Sequence, residues 1–337
     1  MPPKRPLPIR LSDGHANNPS MSASSAMLSD NTNVVVNGKE LHIKFSDPVM
    51  VKKLGSGQFA TVFHMKFTND NNVYDFAVKE IKMGRSEMRK SRIRQESEFG
   101  LRMSVCPFAV NTYGIMGRGD EIRILMELMD DTVANLRLMR DLLECDFPEE
   151  HVAFTTKCVV KGLEFLRQCG IQHRDVKPTN MLVNRDGCVK ICDYGVAQKM
   201  QGDITKTNVG TFKFLAPERL VMGQKNGFRI QSDVWSLGVS VYNIVTASMP
   251  FPENATIFDY HQYIIANSDV DLPPENDYSQ DLRTFVSSCL KVEENDRPDY
   301  ETLLKFGFLK NIKIKDHKPL FAQFVCETFD KYNDSLV

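Results

Sequence analysis

The chain has no excess of either charge: 42 Lys and Arg stand against 43 Asp and Glu, a formal net of −1. That excludes a general nucleic-acid or membrane-surface binder and leaves only a local basic patch open. The eight cysteines include no CxxC pair, so metal-ligand spacing is missing and free thiols in a reducing compartment are expected. No apolar run follows the basic, Pro- and Ser-rich start, so no signal peptide is expected. Nor does any stretch suit a membrane span. The most apolar one, Val234 to Phe251, carries Ser236, Ser240, Asn243, Thr246 and Ser248, which fits a buried core helix. What remains is a cytoplasmic globular protein, with import into the nucleus left open. Its 337 residues, 42% hydrophobic and 25% charged, suffice for one large or two smaller domains with a substantial core.

Residues 1 to about 45 are Ser-, Asn- and Pro-rich and read as a disordered tail. Inside it, Lys4 and Arg5 precede apolar residues at alternate positions, Leu7, Ile9 and Leu11, with prolines between. Prolines favour extended chain, which could lay those three side chains in a groove while the cations meet acids. A random basic tail would look the same.

From Val51 the pattern changes. Gly55-Ser56-Gly57 precedes short β-formers, and such glycines let backbone N–H groups approach a phosphate. Ala60 stands at the third glycine position, and Thr61 to Phe67 reads as a strand, which argues against a dinucleotide fold. Phe76-Ala77-Val78-Lys79 is an apolar strand ending in a lysine, an edge cation unless a carboxylate meets it. Residues from about Ser86 to Met103 read as helix, and Glu96 lies 17 positions after Lys79. Glu98 is the alternative, about 200° round the helix. Glu121 to Met129 begins as a buried strand, and Val152, Val159, Val160, Leu163 and Leu166 repeat at helical spacing as far as Gly170.

Next comes His173-Arg174-Asp175-Val176-Lys177-Pro178-Thr179-Asn180, a polar octet between apolar runs. One loop here presents a carboxylate to an incoming hydroxyl, an ammonium to a phosphate and an amide oxygen to a metal ion. Phosphoryl transfer asks for that set, because it needs positioning and charge neutralisation more than covalent work. Met181 to Val183 and Val189 to Cys192 bracket Gly187 as a short hairpin, and Asp193-Tyr194-Gly195 follows.

With Ala216-Pro217-Glu218, Ser232 to Gly238 and Asp296-Arg297-Pro298, these motifs stand in one order, and together they resemble a protein kinase domain. The resemblance implies an α+β, two-lobed fold over 46–310. Its small β-rich lobe, 46–129, carries one key helix; the larger lobe, 130–310, is helical; a tail, 311–337, follows. It also implies ATP and Mg2+ as cofactors. ATP would lie against Leu54, Gly55, Ser56, Gly57, Gln58, Phe59, Ala60, Thr61, Val62, Ala77, Lys79, Met126, Glu127 and Met129. Lys79, paired with Glu96, would grip phosphate. Asp175 would take or orient the hydroxyl proton, Lys177 steady the transferring group, and Asn180 and Asp193 hold the metal. Glu218 would pair with Arg297, and Asp233 would anchor the catalytic loop. Tyr194 replaces the usual Phe and adds a hydroxyl that needs a partner.

Cys106-Pro107-Phe108, Met126 to Asp130 and the octet narrow the resemblance to the MAP kinase kinases, which phosphorylate Thr and Tyr in a MAP kinase activation loop. The tail motif at Lys4, Arg5, Leu7, Ile9 and Leu11 is similar to their MAP kinase docking site. Leu320 to Val325 is similar to a segment through which some meet an upstream MAP kinase kinase kinase; its apolar residues could equally cap the large lobe. That family carries two phosphorylatable residues four apart, and here those positions hold Asp203 and Thr207. Thr207 is thus the expected switch, Thr205 its rival, and Asp203 a built-in acid. Glu127 to Asp130 looks like the stress-activated branch, and the Pro-rich insert of the mitogen-responsive one is missing between Trp235 and Asp281. The tail motif and the length between Thr207 and Ala216 look instead like the mitogen-responsive branch; a stress-activated MAP kinase is the expected substrate. The readings kept beside this are a non-catalytic pseudokinase or scaffold and a Ser/Thr kinase of another branch. No nucleic-acid or membrane partner is expected.

Overall fold

An Asn-Gly pair decides the first element. Asn37 and Gly38 both take positive φ, 51° and 77°, the requirement of a tight two-residue hairpin turn. The turn joins β1 (Asn31–Val36) to β2 (Lys39–Lys44), with Val36 opposite Lys39. Alternation then buries Val34, Val36, Leu41 and Ile43. The computed structural model describes residues 29–57, 60–83, 100–193, 211–220, 229–252, 256–267, 270–274 and 277–336. Lys4, Arg5, Leu7, Ile9, Leu11, Gln58, Phe59, Glu96 with its alternative Glu98, Asp203, Thr205 and Thr207 lie outside them.

The tail reading of residues 1 to about 45 is therefore corrected for 31–44. Polar neighbours in the sequence masked a short alternating pattern whose apolar side has a partner only in the folded chain. That partner is a five-stranded antiparallel sheet in the order β3-β4-β5-β7-β6. Its strands are β3 (Val49–Ser56), β4 (Ala60–Asn69), β5 (Asn72–Lys82), β6 (Thr112–Arg118) and β7 (Glu121–Met126). A side chain at Gly114 would collide with Val34 and Thr32, so glycine there lets the hairpin seat on β6. Period two divides β5. Phe76 and Val78 pack with Val34, Ile43 and Met116 under the hairpin. Ala77, Lys79 and Ile81 fall on the opposite face, where Ile81, Ile122 and Ile124 form a second small core.

The large lobe is helical. It comprises α1 (Val133–Leu142), α2 (Glu149–Gln168), α3 (Pro217–Leu220), α4 (Ile230–Thr246), α5 (Ile257–Ala266), α6 (Gln280–Cys289), α7 (Tyr300–Leu303), α8 (Gly307–Lys310) and α9 (Ile314–Ser335). Glu149 and Glu150 occupy the first turn of α2, where carboxylates offset the positive helix end. Helix α4 is the Ser-containing apolar stretch, and Val234, Trp235 and Leu237 in it are fully buried. The Ser236 hydroxyl donates to the carbonyls of Phe214 and Ser232, and that of Ser240 to the Ser236 carbonyl, so these two hydroxyls find partners inside the core. Among the described residues, no helix is long and apolar enough to cross a membrane.

Residues 314–335 are not a loose tail. Phe321, Phe324, Val325 and Phe329 of α9 are buried in the large-lobe core. The rings of Phe147 and His151 lie tilted against Phe324, centroids 4.9 and 4.4 Å away, and the Arg140 guanidinium lies 5.0 Å from the same ring. Gly187, at φ 72°, lies where a Cβ would meet the Lys318 carbonyl. The apolar side chains of Leu320 to Val325 thus mostly cap the lobe, and Leu320 and Gln323 are the ones that face out.

Candidate active site

A three-stranded sheet on the large lobe, in the order β10-β9-β8, carries the polar octet. Its strands are β8 (Asp131–Thr132), β9 (Met181–Val183) and β10 (Val189–Ile191). The octet precedes β9 and Asp193 follows β10, so the hairpin sets loop and carboxylate side by side. The chain cross-braces them: the Cys192 N–H donates to the Asn180 carbonyl at 3.0 Å, and His173 Nε2 lies 3.0 Å from the Cys192 carbonyl.

Lys79 reaches Asp193 across the cleft, Nζ to Oδ1 at 2.9 Å. That ammonium holds the Asp193 carboxyl below the usual carboxylate range. Lys177 Nζ lies 2.9 Å from Asp175 Oδ2. Asn180 Nδ2 donates to both the backbone carbonyl and Oδ2 of Asp175, each at 2.8 Å. Lys79, Asp175, Lys177, Asn180 and Asp193 therefore converge on one cleft between the lobes.

The floor under the loop is a single carboxylate. Asp233 of α4 is fully buried and accepts the N–H groups of His173 at 2.9 Å and Arg174 at 2.8 Å. Burial pushes its carboxyl up, opposed by His173 and those two donors. Arg174 takes φ 66° and Asp193 φ 60°, left-handed values that a non-glycine residue holds only when its surroundings insist. Glu218 and Arg297 meet bidentately, both contacts 2.9 Å, with the Ser232 hydroxyl donating to Glu218 at 2.6 Å. The expected placements of Asp233 under the loop and of Glu218 on Arg297 are both observed.

The glycine stretch is built differently. Gly57 N–H closes the β3–β4 turn on the Ala60 carbonyl at 2.9 Å. Among the described residues a Cβ on Gly55 would meet nothing within 4 Å, so none of them requires glycine there. Leu54, Ser56 and Gly57 are exposed, and Ala60, Thr61 and Val62 half-buried, with Ala77 behind them. Val62 pairs with Lys79 in the sheet, so the glycine turn and the lysine stand on neighbouring strands, an arrangement that suits a phosphate. Between the lobes, Met126 is half-buried and Met129 buried. The Glu127 carboxylate is committed to Lys190 at 2.6 and 2.8 Å, and the Glu127 N–H donates to the Asn111 carbonyl. Only its backbone carbonyl is in question for adenine.

The donor set also fits magnesium. One carboxylate and one amide oxygen are hard ligands, and Mg2+ retains waters and takes further oxygens from phosphates. With its nitrogen spent on Asp175, the Asn180 amide offers a cation its oxygen. Among the described residues no group of three His, Cys, Asp or Glu side chains could hold a metal ion by itself.

Sequence reading missed Lys190 and Arg219. Lys190 had a weak signal, a lone cation in an apolar strand. Arg219, whose Nη1 donates to the Arg174 carbonyl at 2.6 Å, had none.

Residues 49–309 match the protein kinase domain family. The chain is similar to the dual specificity mitogen-activated protein kinase kinase sek-1 of Caenorhabditis elegans, 30% identical over 87% of each. It is 29% identical to dual specificity mitogen-activated protein kinase kinase 7 of Homo sapiens, over 82% of this chain and 66% of that one. To protein kinase wis1 of Schizosaccharomyces pombe it is 34% identical, over 83% of this chain and 46% of wis1.

Proposed function

This chain belongs to the MAP kinase kinase family of the protein kinases, and we propose on that premise that it transfers the γ-phosphoryl group of ATP to Thr and Tyr in the activation loop of a MAP kinase. The observation that carries the reading is the convergence of Lys79–Asp193 and Asp175–Lys177–Asn180 on one interlobe cleft. Asp175 orients the substrate hydroxyl and accepts its proton. Lys177 and Lys79 meet phosphate oxygens, and the glycine turn covers them. Asn180 and Asp193 would hold Mg2+, whose charge would offset that building on the phosphoryl oxygens.

The chain is switched on by an upstream MAP kinase kinase kinase at Thr207, with Asp203 supplying part of the charge that a first phosphate would bring. A phosphate adds about −1.5 to −2 charges, which Arg174 is suited to meet. The outward residues of α9, Leu320 and Gln323, are the part of the C-terminal segment left to meet that activator. Lys4, Arg5, Leu7, Ile9 and Leu11 dock the substrate kinase. That kinase is a stress-activated one, on the likeness of Glu127 to Asp130, and the protein acts in the cytoplasm.

The test is Mg2+-dependent transfer from ATP to a panel of kinase-inactive MAP kinases, with the phosphosites mapped. The expected result is labelling of Thr and Tyr on a stress-activated member, lost at least ~100-fold in Lys79→Met. No transfer to any member would return the chain to the scaffold reading. Full activation of Thr207→Ala by an upstream kinase would remove Thr207 as the switch.

A further inference from the structure

We propose that Arg219 is a positioning residue for phosphoryl transfer: from the turn after Glu218 it holds the carbonyl of Arg174, and with it the peptide that aims Asp175. The inference rests on the kinase reading above and assigns it a residue which that reading did not contain.

The peptide between Arg174 and Asp175 is gripped at both ends. Its carbonyl accepts from Arg219 Nη1 at 2.6 Å. Its N–H, on Asp175, lies 3.3 Å from His173 Nδ1. The preceding N–H, on Arg174, is held by Asp233 at 2.8 Å. Arg174 sits at φ 66°. Left-handed backbone is unfavourable for a residue with a Cβ, so this peptide persists by external restraint and has a relaxed alternative. Rotation toward that alternative would swing the Asp175 carboxylate away from Lys177 and Asn180.

Arg219 is suited to the restraint because it is itself anchored. Its neighbour Glu218 is bolted to Arg297 and Ser232, and its N–H closes the turn on the Ala216 carbonyl at 2.9 Å. Asp233 and Arg219 hold the loop from separate elements, α4 and α3. Burial depresses the Arg219 pKa, while Asp233, Asp175 and Glu218 favour its charged form and Arg174 opposes it. A guanidinium carries several donors in one plane and stays charged where an ammonium would lose its proton, which suits a half-buried strut among three carboxylates. Placing a cation there without use would be costly.

The experiment compares Arg219→Met and Arg219→Lys with the wild type, each as the full chain activated in the same way. Four quantities are read: kcat, KM for ATP, thermal midpoint, and hydrogen exchange at the Arg174 and Asp175 amides. A misplacement of the reacting group by about 1 Å costs ~100-fold in rate. Arg219→Met is expected to lose about that much in kcat, with KM for ATP within about 3-fold and ~10-fold faster exchange at the two amides. Arg219→Lys keeps one donor and is expected to recover ~10-fold of the lost rate. Unchanged kcat in both variants overturns the proposal, as does unchanged amide exchange. A parallel loss of ATP affinity and thermal midpoint assigns Arg219 a merely structural role and also overturns it. If Arg219→Met does not fold, Arg219→Lys decides by the same split between kcat and KM. Should the wild type transfer no phosphate, the kinase reading falls, and amide exchange still decides whether Arg219 restrains the loop.

Discussion

The two lobes face the same cleft but are held in opposite ways. On the large lobe, the catalytic loop hangs from Asp233, Arg219 and the Cys192 main chain, all tied to helices or to the β9–β10 hairpin. On the small lobe, β3 is exposed along its whole length, and Gly57 to Ala60 closes its turn. The difference suits the work. A proton acceptor must stay put, whereas a phosphate cover must admit ATP and release ADP.

Asp233→Ala should break the large lobe hardest. It strands the N–H groups of His173 and Arg174 in the interior, at about 1–3 kcal/mol for each orphaned donor. Urea unfolding is expected to show a loss of ~2–6 kcal/mol, and transfer activity should vanish with it. A loss below ~1 kcal/mol would mean that the loop is not held from beneath.

Gly187→Ala comes next. The residue sits at φ 72°, and an added Cβ would meet the Lys318 carbonyl and Ala322. A cost of about 1–3 kcal/mol is expected, with proteolysis at the start of α9 as its sign. The same variant tolerated at full stability would show that α9 is a tail after all.

A smaller effect is expected from acid. His151 packs on Phe321 and Phe324 with Glu150, Arg140 and His317 near it. Burial holds its pKa below the ordinary 6.5, with Arg140 and His317 acting in the same direction and Glu150 opposing. The unfolded chain then takes up the proton first. This contribution to stability is whole above pH 6.5 and declines as pH falls below it, until the folded-state pKa is passed. His151→Gln should flatten the stability profile over that range.

Gly55→Ala should leave folding nearly untouched, within ~0.5 kcal/mol, because the added methyl meets none of the described residues within 4 Å. It should instead raise KM for ATP, about 10-fold, or 1.4 kcal/mol, if the methyl intrudes on phosphate. Lost stability with unchanged KM would reverse the contrast between the lobes.

Much of the site could be read before any coordinates. Asp175, Lys177 and Asn180 were legible because phosphoryl transfer asks for an acid, a base and an amide close together, and Lys79 and Asp193 through the resemblance. Glu218 with Arg297, and Asp233 under the loop, were legible through the resemblance. The ends were legible only in part. Asn37-Gly38 between alternating apolar residues is a local hairpin signal, hidden by the polar composition around it. The cap was one of two readings of Leu320 to Val325, decided by contacts with residues far away in the chain. Arg219 was invisible because it acts on a backbone carbonyl, which no residue type announces.

Residue types along the chain were enough to determine the reaction class, since the acid, base and amide of the octet must be those types, and through the resemblance that its motifs carry the chain implied the two lobes and the other groups of the cleft. Tertiary structure alone decided the further grips on the loop: Arg219 and Cys192 act through main-chain N–H and C=O bonds, and the partner of a peptide group depends on where the chain folds rather than on its side chain.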